Sequence, residues 1–264
     1  MVLRDYFWLW GHPEGRYNDM FGNHKVSRMT PLECCMYLGI RNTFMVPVGV
    51  KLDMRQYNKS FKPLRRVGWE CFKAARDITL LDPIIKNSAE FKNISCVVFD
   101  DFNWHRDTNG EVDTEQLWKI RDRLHNNEVR PLEMWMVLYT HEFGLDPEKD
   151  ERFQKLVEPF DGIIMWTWKE KDVHLIPEKF ETLKKMAPKQ RFMAGCYLWN
   201  FGEEKEATGE AVKWQLDWYR EKMLANELEG VVLHTNTMAD LDYEAYDAAM
   251  EWMDAHGDEP YSIL

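Results

Sequence analysis

Residues 134–168, MWMVLYTHEFGLDPEKDERFQKLVEPFDGIIMWTW, contain two strand-like apolar runs with a helix-like segment between them. The runs Met134–Tyr139 and Gly162–Trp168 are short and nearly continuously apolar, which is typical of strands buried on both faces. An Asp-Pro helix start at 146–147 is followed by apolar residues at helical spacing over 153–160. The stretch therefore predicts a strand–helix–strand unit, the connection that joins parallel strands.

The same alternation of strand-like and helix-like segments continues over the whole chain. Six further runs make eight, and 264/8 gives 33 residues per unit, which predicts an α/β fold, the (β/α)8 TIM barrel. An open doubly wound sheet is the alternative, but GHPEGRYNDMFGN at 11–23 lacks the GxGxxG spacing that it needs after its first strand. The six runs are Tyr6–Trp10, Thr43–Val48, Arg66–Cys71, Cys96–Phe99, Phe192–Trp199 and Gly230–His234.

Helix-start signals precede several of the helix-like segments. Residues 30–33, TPLE, form a capping box with proline at the first helical position. The Asp-Pro pairs at 82–83 and 146–147 predict aspartate caps, and we expect Asp240 or Asp242 to cap the last helix.

Composition limits the class of protein. Apolar residues make up 45% of the chain, and no linker or low-complexity tract divides it, so we expect one domain over residues 1–264. The 34 basic and 45 acidic residues give a net charge of −11, which disfavours nucleic acid and anionic membrane surfaces as partners.

The chain carries no sign of export, of a disulfide framework or of a zinc knuckle. It has no long apolar run, and its five cysteines are scattered without CxxC spacing. We therefore expect a cytoplasmic protein, with secretion as the alternative if a leader is removed, and we expect neither a cofactor nor a metal.

Polar and aromatic residues cluster where the predicted strands end. A TIM barrel builds its active site from the C-terminal ends of its strands and the loops after them, so these residues are the candidate carbohydrate-binding set. Core packing explains Trp166 and Tyr197 equally well, and His234 has the alternative of a hydrogen-bonded core histidine. The candidates are His12, Glu14, Arg16, Glu70, Asn103, Tyr139, His141, Trp166, Trp168, Tyr197, Trp199, Asn200, His234 and Asn236.

Asp100 and Asp101 follow the buried run VVF at 97–99 and are the candidate catalytic residues. Neighbouring strand residues face opposite sides, so both carboxylates reach one site only if the strand ends or bulges there. Crowded carboxylates repel each other, which raises one pKa and leaves an acid beside a base. The alternative is that one aspartate caps the next helix or pairs with a basic residue.

A fourth strand that ends in Phe-Asp-Asp resembles the catalytic strand of the O-GlcNAcase-type β-N-acetylglucosaminidases, relatives of the chitinases and hexosaminidases. The resemblance implies a glycoside hydrolase in which the acetamido oxygen of the substrate attacks the anomeric carbon. Asp100 would orient the acetamido group and Asp101 would be the general acid/base. A retaining pair of carboxylates is the alternative within this class, with Asp101 opposite Glu203 or Glu204.

Two other functional classes stay open at this stage. Glu70, Asp100, His141 and His234 are residue types that a divalent-metal sugar isomerase or lyase uses on the same barrel. A non-catalytic carbohydrate-binding barrel would have the same aromatic strand ends, since flat rings stack on sugars.

Overall fold

The fold is a closed barrel of eight parallel strands, seen in a computed structural model that describes residues 1–102 and 114–263. Strands adjacent in sequence are adjacent in the sheet, and the last strand closes onto the first, with Leu233 opposite Leu9. The predicted TIM barrel is therefore confirmed. The strands are β1 (Phe7–Gly11), β2 (Asn42–Met45), β3 (Arg66–Glu70), β4 (Ile94–Phe99), β5 (Glu133–Tyr139), β6 (Gly162–Trp166), β7 (Arg191–Tyr197) and β8 (Gly230–His234).

A helix follows each strand and packs its apolar side on the outside of the barrel. On the fourth helix, for example, Leu117, Ile120 and Leu124 recur at helical spacing and are fully buried. Short 3-10 turns lie between several of the elements. The helices are α1 (Pro31–Tyr37), α2 (Met54–Ser60), α3 (Asp82–Glu90), α4 (Thr114–His125), α5 (Pro147–Val157), α6 (Ile176–Met186), α7 (Gly209–Leu224) and α8 (Glu244–His256).

Two of the predicted helix starts have the expected cap. Thr30 accepts a hydrogen bond from the Glu33 amide, and the Glu33 carboxylate accepts one from the Thr30 amide at 2.8 Å, which completes the capping box of α1. Asp146 caps α5 by accepting from the amides of Glu148 and Lys149. These local signals need no tertiary information, which is why the sequence predicts them correctly.

The other two predicted caps are wrong. Asp82 is already the first residue of α3, since a 3-10 turn continues into the helix, and its carboxylate pairs with Arg123 at 3.1 Å. At the start of α8 the capping position is held by Tyr243, without a side-chain cap. Asp240 instead accepts from the Arg28 amide at 3.1 Å. In both places a neighbouring segment determines what the carboxylate contacts.

Large aromatic rings fill the inside of the barrel, and glycines on adjacent strands make room for them. A Cβ atom at Gly162 would lie 2.2 Å from the Trp135 ring, and one at Gly195 would lie 2.0 Å from the Trp166 ring. Both tryptophans are buried, and they pack in one cluster with Trp8. The aromatic excess of the sequence is therefore partly a packing feature, and the barrel interior is solid.

Four charged side chains close the N-terminal end of the barrel. Arg66 pairs with Glu133 at 2.7 Å and with Glu229 at 3.4 Å, and Arg191 pairs with the same two carboxylates at 2.9 and 2.8 Å. Each guanidinium also lies over an interior tryptophan ring. We call these four side chains the ion ring.

Four strands, β2, β3, β6 and β7, end earlier than the sequence predicts at the opposite, C-terminal end, and for two of them this places a predicted site residue in a loop. β6 ends at Trp166 and β7 ends at Tyr197, so Trp168 and Trp199 belong to the following loops. Side chains beyond a strand end no longer follow strand alternation. The ring positions after these strands are therefore set by loop packing.

Exposed large apolar side chains are scattered over the outer helices. Trp118 on α4 and Trp214 on α7 are examples, with 44% and 40% of their surface exposed. Isolated surface hydrophobics of this kind are common. In the two described ranges, no helix combines the length and the apolar character that crossing a membrane requires.

Candidate active site

A cavity of about 350 Å³ lies at the C-terminal end of the barrel. Its size falls at the lower end of the range of about 300–1,000 Å³ that is usual for small-molecule sites. Aromatic rings and charged side chains share the wall. The lining residues are Trp10, Arg16, Tyr17, Met20, Phe21, Val48, Asp100, Asp101, Tyr139, His141, Glu142, Trp168, Tyr197, Phe201 and His234.

Asp100 and Asp101 both line this cavity, although they are neighbours in sequence. β4 ends at Phe99, and Asp101 has a left-handed backbone with a φ of 47°. The left-handed turn interrupts strand alternation, so both carboxylates face one cavity. Aspartate and asparagine adopt this conformation more readily than most residues.

Two tyrosine hydroxyls form a chain of hydrogen bonds that ends at Asp101. Tyr139 donates a hydrogen bond to Asp101 Oδ1 at 3.0 Å, and Tyr197 donates one to the Tyr139 hydroxyl at 3.4 Å. Burial, together with the nearby carboxylates, raises the pKa of both tyrosines well above the usual value. Both hydroxyls therefore stay protonated at neutral pH and act as donors.

Two neutral histidines lie next to each other at the inner end of the cavity, His234 in its wall and His12 behind it. His12 Nδ1 is 2.8 Å from the Val46 carbonyl, which only accepts, so this nitrogen carries the proton. His12 Nε2 then accepts, and it lies 3.3 Å from both His234 Nε2 and the Tyr17 hydroxyl. Burial lowers the pKa of His12 to about 4 and that of His234 well below 6.5. The pair is uncharged at neutral pH.

Aromatic residues from the loops after β1 and β7 cover one side of the cavity. The rings of Tyr17 and Phe21 contact Phe201 with centroid distances of 5.3 and 5.4 Å. Trp199 Nε1 donates to the Phe21 carbonyl at 2.9 Å. These contacts tie the two loops together across the mouth of the barrel.

Eight of the sequence-predicted site residues line the cavity together. They come from the ends of six of the eight strands and the loops after them, as expected for a TIM-barrel site. His141 is exposed and stacks on Tyr139 with 5.5 Å between ring centroids. The eight are Arg16, Asp100, Asp101, Tyr139, His141, Trp168, Tyr197 and His234.

Several other predicted site residues line no part of this cavity and make structural contacts. Glu14 is exposed and accepts from the Tyr57 hydroxyl at 3.3 Å. Glu70 accepts from the Phe72 amide at 2.5 Å, and burial raises its pKa. Trp166 belongs to the interior cluster of the barrel, as the core-packing alternative predicts.

Loop packing accounts for two further predicted residues outside the cavity wall. Trp199 is buried and packs on Tyr243 with a centroid distance of 4.9 Å. Asn200 is buried and donates to Glu203 at 2.8 Å, so Glu203 is held within its own loop. Neither Glu203 nor Glu204 lines the cavity opposite Asp101.

His12 and Asn236 lie behind the cavity wall. The Asn236 amide side chain accepts from the His12 backbone amide at 2.8 Å and donates to the His12 carbonyl at 3.0 Å. It also donates to the Met29 carbonyl at 2.8 Å, so it fixes the loop after β1. The predicted residue Asn103 lies outside the described residues.

Seven lining residues are absent from the sequence-predicted set. Glu142 directly follows the predicted His141, and its buried carboxylate accepts from the Tyr139 amide at 3.0 Å. Trp10 and Val48 could have been found as apolar residues at strand ends. Four others lie in the loops after β1 and β7, where no periodicity gives their direction: Tyr17, Met20, Phe21 and Phe201.

The residues suggested for a metal-dependent isomerase are not grouped as ligands. Across residues 1–102 and 114–263, no three His, Cys, Asp or Glu side chains lie close enough together to hold a metal ion. His234 is paired with His12, and Glu70 is hydrogen-bonded to the turn after β3. Within that part of the chain, the set of Glu70, Asp100, His141 and His234 does not fit a metal centre.

No family profile and no curated protein matches this chain. Among solved structures, active domain 2 of a thermostable chitinase from Pyrococcus furiosus has a similar fold, with a TM-score of 0.62, 12% identity and coverage of 95% of both chains. An alpha-L-arabinofuranosidase from Thermotoga maritima is similar with a TM-score of 0.58 and 9% identity, over 99% of this chain and 72% of that chain. Tryptophan synthase from M. tuberculosis has a TM-score of 0.54 and 10% identity, over 98% and 94%. At these identities the similarity shows the fold alone.

Proposed function

We propose that this protein is a glycoside hydrolase that cleaves a sugar in the mouth cavity, with Asp101 as the general acid/base. The observation that carries the proposal is the adjacent pair Asp100 and Asp101, turned together into an aromatic-lined cavity. Glycoside hydrolysis needs carboxyl groups that can donate and accept a proton beside the scissile bond.

The hydrogen bonds around Asp101 suit this role. Oδ1 accepts a hydrogen bond from the Tyr139 hydroxyl, which orients the carboxyl group in the cavity. Tyr139 is held in turn by Tyr197, which limits rotation of the carboxyl group. A positioned acid transfers its proton more effectively than a mobile one.

The favoured substrates are N-acetylhexosaminides, cleaved with help from their own acetamido group. Asp100 would orient that group so that its carbonyl oxygen attacks the anomeric carbon. The bond to the leaving oxygen breaks as Asp101 donates its proton to that oxygen. Water then attacks the anomeric carbon, gives a proton back to Asp101 and releases the acetamido group.

The aromatic wall supports a sugar as the ligand. Trp168 is partly exposed and packs edge-on against Tyr197 at 5.7 Å, and its ring lies 6.2 Å from that of Phe201. Partly exposed rings of this kind can stack on the apolar face of a pyranose. The Tyr197 hydroxyl oxygen can also accept a hydrogen bond from a sugar hydroxyl.

The test is a hydrolysis screen with aryl glycosides, including α- and β-N-acetylhexosaminides, with and without a chelator. We expect chelator-insensitive turnover of an N-acetylhexosaminide. Asp101→Asn should lower it by about 10²–10⁴-fold, the usual contribution of general acid–base catalysis. Asparagine tolerates the left-handed backbone, so this variant changes the chemistry and not the turn.

Asp19→Asn is the matched control. Asp19 is also exposed and has a left-handed φ of 54°, but it lies outside the cavity wall. We expect this variant to retain full turnover. Near-native activity of Asp101→Asn would refute the assignment of the acid, and saturable sugar binding without any turnover would favour the binding-barrel alternative.

A further inference from the structure

Arg16 brings a positive charge to the cavity that no carboxylate of the described chain neutralises. It lines the wall in the loop after β1, and residues 1–102 and 114–263 provide no ion-pair partner for its guanidinium. Its Nε–H is shielded from solvent without an acceptor among these residues. Nη1 donates to the Met20 sulfur at 3.5 Å.

This situation differs from that of four other arginines in the protein, which form ion pairs. Arg66 and Arg191 each pair with two carboxylates in the ion ring. Arg121 pairs with Asp161 at 3.1 Å, and Arg220 pairs with Glu259 at 2.6 Å. A chain with 45 acidic residues could readily supply a partner for Arg16. The guanidinium is therefore available to a group that is not part of the described chain.

We propose that Arg16 binds an anionic oxygen group of the substrate, so that the preferred substrate is an acidic glycoside. This inference rests on the proposed hydrolase function and names its substrate class. A planar guanidinium binds a carboxylate or a sulfate ester through paired, charge-assisted hydrogen bonds. Both groups occur on sugars, and the experiment below distinguishes them.

The arrangement of charges in the cavity supports this assignment. Asp100, Asp101 and Glu142 also line it, so a substrate anion would be repelled without a compensating cation. Arg16 comes from the loop after β1, whereas the aspartates follow β4, three strands further round the barrel. A sugar with its scissile bond at Asp101 could therefore present a different substituent to Arg16.

The experiment compares matched neutral and anionic substrates. One pair is 4-nitrophenyl β-N-acetylglucosaminide and its 6-sulfate, and the other is the same N-acetylglucosaminide and its uronic acid analogue, in which C6 is a carboxylate. We expect kcat/KM of the wild type to be at least about ten-fold higher for the anionic member of one pair. A preference in the first pair identifies sulfate as the group, and one in the second identifies carboxylate.

Arg16→Met keeps an unbranched side chain and removes the charge. It should abolish the preference by lowering kcat/KM for the anionic substrate roughly ten-fold more than for the neutral one. Arg16→Lys keeps the charge without the planar fork and should give an intermediate value. Arg28→Met is the matched control, because Arg28 is exposed in the same loop and outside the cavity wall.

The outcomes separate this inference from the proposed function. If the wild type hydrolyses the neutral member of each pair as well as the anionic one, the inference is overturned while the hydrolase proposal stands. If no glycoside is hydrolysed, the hydrolase proposal fails. Calorimetric binding of glucuronate and N-acetylglucosamine 6-sulfate then tests whether Arg16 binds an anionic group. Binding that Arg16→Met removes supports the anion site, and affinities equal to those for the neutral sugars reject it.

Discussion

The two ends of this barrel use charged residues in opposite ways. At the N-terminal end, two arginines and two glutamates alternate in the ion ring, and every charge faces charges of the other sign. At the C-terminal end, two aspartates of like charge are adjacent, and Arg16 has no ion-pair partner among the described residues. Between the two ends lies an interior filled with aromatic rings.

This difference in charge arrangement indicates that the N-terminal end contributes to stability, whereas the C-terminal end has groups that can bind a ligand. Alternating charges satisfy one another and close the sheet, which is the usual task of the N-terminal face of a TIM barrel. Like charges and an unpaired cation do not stabilise the folded state, and such local conflicts are typical of functional sites. Three experiments test this division, beginning with the largest expected effect on free energy.

Acidification should destabilise the protein through the histidine pair at the C-terminal end. Unfolded histidine takes up a proton near pH 6.5, whereas His12 in the fold stays neutral until about pH 4. The unfolded state therefore binds more protons in this window, and stability falls as pH decreases. The loss from His12 is on the order of 3 kcal/mol, at about 1.4 kcal/mol per pKa unit.

Urea unfolding at neutral pH and near the lower end of this window measures that loss. His12→Asn keeps a donor for the Val46 carbonyl and removes the titrating group, so its unfolding free energy should fall less steeply on acidification. His24→Asn is the control, because His24 is exposed. Equal pH slopes for the wild type and His12→Asn would contradict the prediction.

Removing one cation from the ion ring should cost stability without affecting the cavity. Burial raises the pKa of Glu229 despite its two arginines. Burial alone would lower the pKa of Arg191, but Glu229 and Glu133 raise it. Arg191→Met therefore leaves Glu229 with one cation. We expect a loss of about 1–2 kcal/mol, discounted because Arg191 is partly exposed.

The loss should shrink as pH falls, because removing Arg191 raises the pKa of Glu229 further and the protonated carboxyl needs no cation. Urea unfolding of Arg191→Met across the acidic range measures this, and sugar hydrolysis should be unchanged. Arg123→Met is the control, since Arg123 also holds two carboxylates but at the surface, and its unfolding midpoint should not move. A change in hydrolysis by Arg191→Met would show that the two ends are coupled.

The third experiment changes Tyr139 to phenylalanine at the cavity, with an expected effect no larger than that of Arg191→Met. This variant removes the hydroxyl that donates to Asp101 and leaves the ring in place. We expect kcat to fall about ten-fold, equivalent to about 1.4 kcal/mol, through poorer positioning of the acid. KM should change little, because the sugar-stacking rings remain. A large loss of folding stability with unchanged kcat would assign Tyr139 to packing instead.

The fold could be predicted from the sequence because each strand–helix unit carries its own signals. Periodicity, the capping box at 30–33 and the Asp-Pro start at 146–147 depend on neighbours in the chain. The site could be predicted in part from the same logic, since Asp100 and Tyr139 lie directly at strand ends, next to the mouth of the barrel. Strand direction and barrel closure together determine their position.

The rest of the site depends on loops that pack against distant segments. Tyr17 and Phe201 line the cavity because their two loops contact each other, and nothing in either loop sequence shows this contact. The sequence predicts that Asn236 binds substrate, and in the structure its amide side chain hydrogen-bonds the backbone of His12 and Met29. A polar residue near a strand end can form hydrogen bonds either with a ligand or with a loop. Which of the two it does depends on its neighbours in the three-dimensional structure.

The solid interior also gives the molecule separate optical reporters at its two ends. Trp10 and Trp168 border the cavity, whereas Trp8 and Trp135 lie beneath the guanidinium groups of the ion ring. Trp166 lies in the apolar interior, and its indole N–H has no partner among the described residues. Changes in indole fluorescence on ligand binding would therefore arise at the mouth, while the tryptophans under the ion ring respond to the opposite end. The fluorescence emission of the protein can therefore report changes at both ends of the barrel.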